Sequence, residues 1–155
     1  MKSIVVAYRM SLKDVDAHYF EDAPQRTFCP ECESVIDLSY VPSELVIHSG
    51  SIHALGCTYD GKAICTAEAK RVMEQQNLEV DFLKVNSQLD LFNFRPRLQL
   101  KFDSQKRNTH FIGPCSKCGG FREVIGSQPV FLLGVSAPVS EGMFRTDLEF
   151  GSGCS

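Results

Sequence analysis

The sequence predicts an α+β protein dominated by strands, with one main helix, folded as a single globular domain over residues 1–155. Three observations carry that expectation. Short apolar runs separated by turn residues recur along most of the chain, one capped amphipathic stretch runs from Ala67 to about Gln76, and two Cys-x-x-Cys pairs lie far apart.

In chain order, Lys2 to Arg9 reads as a first strand, and the polar stretch Asp14 to Arg26 as a loop or short helix leading to the first cysteines. Val35 to Leu38 and Leu45 to His48 read as short strands separated by the turn signal Pro42-Ser43. Asp60-Gly61 lies between two apolar segments and predicts a two-residue hairpin turn. In that register Tyr59 faces Lys62 and Cys57 faces Ile64, which puts Cys65 on the opposite face and disfavours a Cys57–Cys65 disulfide.

Thr66 is placed to cap the helix. Ala69, Val72 and Met73 form its apolar stripe, Glu68, Lys70, Arg71 and Glu74 face water, and Asn77 is suited to a left-handed stop. Val80 to Val85, the alternating Leu98 to Asp103, the dense apolar Val130 to Val135 and the half-polar Phe144 to Phe150 complete the predicted strands. Asp103 to Thr109 reads as a mobile loop, and Phe92, Phe94, Phe111, Phe121, Phe131, Phe144 and Phe150 as core.

The composition, 43% hydrophobic and 23% charged, is that of a folded domain. The formal net charge of −3 and the lack of any lysine- or arginine-rich run argue against general nucleic-acid binding, which needs concentrated cations. A basic protein partner suits the balance better. The N-terminal apolar run is too brief for a secretory leader, and no stretch approaches the roughly 18 apolar residues of a membrane span. A cytoplasmic location follows as the expectation.

In a reducing compartment, cysteines at motif spacing are metal ligands or catalytic groups more often than disulfides. Seven are present, at 29, 32, 57, 65, 115, 118 and 154. Cys29-Pro30-Glu31-Cys32 and Cys115-Ser116-Lys117-Cys118 supply the four thiolates of a tetrahedral Zn²⁺ site, each pair gripping one edge of the ion from a tight turn. The implied zinc-ribbon-like element covers about 27–34 and 113–120 and joins two remote parts of the chain. Gly119 permits the left-handed backbone such a turn needs, whereas the first pair has Glu33 there and is the less ideal turn.

Four cysteine ligands leave no open coordination position, so the zinc would be structural. Thiols that merely fill buried space are the bland alternative, and matched pairs weigh against it. A redox CxxC would open a helix, which neither flank resembles. Cys57, Cys65 and Cys154 have no motif spacing and read as ordinary packed or surface thiols. The four histidines are scattered, His110 being nearest a pair. No phosphate loop, GxSxG, HExxH or apolar carboxylate pair occurs, so nothing in the sequence supports catalysis. Asp90, Glu141, Asp147 and Glu149 are candidates for an interaction surface, set against the ordinary reading of exposed carboxylates.

The arrangement resembles the double-CXXCG-motif immunity proteins of bacterial polymorphic and contact-delivered toxin systems. The likeness rests on Cys29-Pro30-Glu31-Cys32 and Cys115-Ser116-Lys117-Cys118-Gly119, with Asp60 to Thr66 running into the helix and on to Asn77-Leu78-Glu79-Val80-Asp81-Phe82, and with Phe144 to Leu148 after the second motif. The resemblance implies a non-enzymatic protein that binds and neutralises a cognate toxin in the cytoplasm, with cysteines supporting the scaffold. Asp90, Glu141, Asp147 and Glu149 would then face the toxin. The rival is a zinc-ribbon adaptor or regulator that binds nucleic acid or transcription machinery, for which a basic face is expected.

Overall fold

The computed structural model describes residues 6–48 and 53–154. Among these the chain forms β1 (Lys13–Asp14), β2 (Leu55–Cys57), β3 (Ala63–Thr66), α1 (Ala67–Gln75), β4 (Val80–Asn86), β5 (Leu91–Pro96) and β6 (Leu98–Leu100). There follow α2 (Ser104–Arg107), β7 (His110–Pro114), β8 (Phe121–Ile125), β9 (Phe144–Thr146) and β10 (Gly151–Cys154). The architecture is strand-rich α+β with one main helix, as the sequence predicts.

The largest sheet has the order β1-β2-β3-β5-β4, antiparallel except for the parallel β1–β2 pair. Its two faces are set by period-two alternation. On one face Ile64, Val85 and Leu91 pack with Val15, Ala17, Tyr19 and Leu45 from the loops. On the other, Cys65, Val80 and Phe94 pack under Met73 of α1. A three-stranded antiparallel sheet, β10-β8-β7, and a parallel β6–β9 pair form the remainder.

Local chemistry accounts for α1. The Thr66 side chain accepts a hydrogen bond from Ala69 N–H at 3.3 Å, Asn77 takes φ 52°, and Leu78 N–H returns to the Met73 carbonyl at 3.1 Å. The apolar stripe is narrower than predicted, because Val72 is half exposed while Ala69 and Met73 face the sheet.

The hairpin differs from its predicted register. Gly61 (φ 80°) closes a turn in which its N–H donates to the Thr58 carbonyl at 3.0 Å, and Thr58 N–H donates to Lys62 O at 2.9 Å. Three residues therefore separate the last pair, Cys57 lies opposite Ala63, and Cys65 opposite Leu55. A one-residue shift moves side chains across the sheet, so Cys57 and Cys65 share a face; both are free thiols. The Asp60 carboxylate accepts from the N–H groups of Tyr19 and Phe20 at 3.0 and 2.9 Å, tying the N-terminal loop to this turn.

Other expectations are corrected. Of the predicted strand Lys2 to Arg9, residues 2–5 lie outside the described residues, and Val6 to Arg9 form no strand. Val35 to Leu38 and Leu45 to His48 are loops, held by a single bridge from Val35 to Phe28 and by isolated bonds such as Leu45 N–H to Val85 O. Val130 to Val135 likewise has only the bridge from Leu132 to Phe102, and Val130 and Leu133 stay substantially exposed. Asp103 to Thr109 is ordered by helix α2, whose cap is the Asp103 carboxylate accepting from Lys106 N–H at 2.9 Å. Phe111 faces outward rather than into the core.

Candidate metal centre

Each cysteine pair occupies the loop of a β-hairpin, and the two loops are built alike. Around the first, Phe28 pairs with Val35, Cys29 N–H donates to Ser34 O at 2.8 Å, and Glu33 N–H donates to Cys29 O at 2.9 Å. Around the second, Pro114 pairs with Phe121, Cys115 N–H donates to Gly120 O at 2.9 Å, and Gly119 N–H donates to Cys115 O at 2.9 Å. The residue after the second cysteine is left-handed in both loops, Glu33 at φ 60° and Gly119 at φ 76°. Glutamate thus adopts the conformation its partner loop assigns to glycine, at a cost of about 1–2 kcal/mol.

Facing each other, the hairpins bring four sulfurs together. Cys29 Sγ lies 3.8 Å from Cys115 Sγ, 86 residues away in sequence, and Cys32 Sγ lies 3.5 Å from Cys118 Sγ. All four lie within 4.8 Å of one another, the arrangement of a cluster able to hold a metal ion. A tetrahedron with metal–sulfur bonds of about 2.3 Å has edges of about 3.8 Å, so the spacing fits a four-thiolate ion. It is far from the roughly 2.05 Å of a disulfide. Neither pair opens a helix, so no helix N-terminus acts on these thiols.

The cluster has an inner and an outer edge. Cys29 and Cys115 are buried, at 1% and 9% exposure, whereas Cys32 and Cys118 are half-buried. Ser34, fully buried, joins the halves: its Oγ lies 3.3 Å from Cys32 Sγ and 3.5 Å from the Phe121 carbonyl. Hydrogen bonding by the Ser34 side chain and backbone brings the Cys32 thiol down to about 6, against a smaller opposing effect of burial. At Cys118 the Gly120 N–H lowers the pKa, but burial and the neighbouring thiols outweigh it and push it up to about 12. The physical sense is that one thiolate settles on Cys32 while Cys118 keeps its proton until a cation arrives.

Cys57 and Cys65 stand apart from the cluster. Cys65 is buried in the core under α1, its thiol pushed up to about 12 chiefly by burial. Burial and Asp14 also raise Cys57. Cys154 lies opposite Phe121 in the β10–β8 register. His110, at the start of β7, is not among the clustered residues.

The four acidic candidates have separate surroundings. Asp90 sits in the β4–β5 turn with its carboxylate 2.7 Å from Lys84 Nζ, and Glu149 pairs with Arg95 at 3.7 Å. Asp147 accepts a hydrogen bond from Phe102 N–H at 2.8 Å, a scaffold role the sequence did not indicate. Glu141 is exposed beside Gly142. Comparison of the chain with protein-family models, curated proteins and solved structures returned no match. No helix among the described residues is long and apolar enough to cross a membrane.

Proposed function

We propose that this chain is an immunity protein that binds and neutralises a cognate bacterial toxin in the cytoplasm, and that Cys29, Cys32, Cys115 and Cys118 hold a structural Zn²⁺. The observation that carries the reading is the meeting of two CxxC hairpins, 86 residues apart, in one four-thiol cluster inside an α+β scaffold. That is the double-motif pattern given a physical purpose.

Zinc suits the donor set: four soft thiolates at tetrahedral spacing favour it over oxygen-seeking cations. Bound there, it supplies a cross-link between the hairpins and no open position for water or substrate. The protein then acts by complementarity to its target rather than by chemistry on it. Co-expression with a toxin domain encoded beside its gene is the test: protected cells support the reading, and equal killing with both proteins soluble sinks it.

The regulator reading also has a specific support, since Cys115 to Gly120 form the tip of a hairpin in a three-stranded antiparallel sheet, as in ribbon modules. Tight binding of DNA or RNA at physiological salt would favour it.

A further inference from the structure

A groove of about 1150 Å³ runs between the β4–β5 surface, the loops that carry the first cysteine hairpin and the segment following β9. Leu83 and Leu38 line it while remaining about half exposed, at 49% and 53%. Five carboxylates line it against three lysine or arginine cations. All three cations are engaged: Arg145 Nε donates to the Pro96 carbonyl, Arg95 faces Glu149, and Lys62 Nζ lies over the Phe20 ring. Glu33 has no ion-pair partner among the described residues, and Glu21 meets only the His48 imidazole, at 3.8 Å.

The groove also borders an open sheet edge. β4 is the terminal strand of its sheet. Arg97 N–H donates to Glu79 O, so by antiparallel alternation Asp81 and Leu83 bond to β5, while Phe82 and Lys84 direct their N–H and C=O groups outward. Those outward groups have no partner among the described residues. Such an edge is a template for one more strand.

We propose that this groove is the partner-binding site, and that its occupant is an extended segment of the toxin bearing apolar and cationic side chains, which pairs with the β4 edge. This rests on the immunity reading. The apolar side chains meet Leu38 and Leu83, the cations meet Glu21 and Glu33, and main-chain bonds form at Phe82 and Lys84. A second copy of this chain paired about Leu83 fits less well. A symmetric antiparallel pair centred on Leu83 needs the edge free at Val85, where Leu45 N–H already holds Val85 O and Asn86 Nδ2 holds Leu45 O.

The test uses the purified full chain and the toxin domain encoded beside its gene, with binding measured by calorimetry for Leu83→Lys, Glu21→Lys and the exposed off-groove control Gln75→Lys. The first two should weaken binding about tenfold or more and the control should not, with melting temperatures unchanged. Hydrogen exchange on the unsubstituted complex should show the Phe82 and Lys84 amides newly protected, a readout independent of how the variants fold. If the unsubstituted chain binds but the groove variants bind equally well, or those amides stay unprotected, the groove assignment fails and the immunity reading stands. No binding by the unsubstituted chain removes the immunity reading and the proposal with it. Dimerisation abolished by Leu83→Lys would assign the edge to a second copy and overturn the proposal.

Discussion

Glu33 and Gly119 occupy the same place in two hairpins that face each other across the four sulfurs, at φ 60° and 76°. Their N–H groups make the same bond, to the carbonyls of Cys29 and Cys115. The strain of a left-handed backbone therefore falls on one hairpin only. Glu33→Gly should relieve it and stabilise the protein by about 1 kcal/mol, less the extra entropy of glycine in the unfolded chain. A rise in melting temperature of about 2–4 °C is the expected readout. Gly119→Glu should do the reverse: open space surrounds its Cβ position, so the penalty there is backbone strain and not a clash.

Asp60 supplies acceptors to Tyr19 and Phe20 N–H and to the Thr58 hydroxyl. Asp60→Ala leaves those donors without that partner and should cost about 1–3 kcal/mol. Denaturant midpoints check this. A shift no larger than that of an exposed control such as Glu141→Ala would show that the carboxylate does not anchor the loop.

The cysteine quartet was legible because chelating spacing is a local property written into two short segments. The helix was legible for the same reason, through Thr66 at one end and Asn77 at the other. Strands whose only signal is burial were not. Val130 to Val135 is as apolar as a core strand, yet its fate depended on whether another strand lay beside it, and only Phe102 does. β7 and β8 escaped notice although they bracket the second pair, because their flanks read as a hairpin only once Cys115 to Gly120 is taken as its turn. In the β2–β3 hairpin the difference is one residue of turn length at Gly61, enough to change the face of every later side chain relative to its partner.

Metal affinity should rise with pH, since each thiol must lose its proton to become a ligand. Cys32, held near 6, is already thiolate at pH 7, while Cys118, near 12, is still protonated and releases its proton on binding. As pH falls through about 6, Cys32 takes up a proton as well, so the dependence should steepen there by about one proton. Competition against a chromophoric chelator between pH 5 and 8 measures this, and a slope that stays constant through pH 6 would contradict a pre-formed Cys32 thiolate.

Removing one ligand tests the assignment most directly. Cys115 is buried within the cluster, whereas Cys57 is a half-buried thiol away from it whose Sγ lies a long 3.9 Å from the Leu12 carbonyl. Structural zinc contributes folding free energy, so Cys115→Ser should lose the metal and several kcal/mol of stability or become insoluble. Cys57→Ser should keep about one equivalent of zinc by elemental analysis and melt within a few degrees of the unsubstituted protein. Because Phe28, Glu33 and Val35 flank the first cysteine pair and also line the groove, chelation should loosen the groove wall. A chelated protein that still melts as one cooperative unit at the same temperature would show that the cluster does not brace the fold.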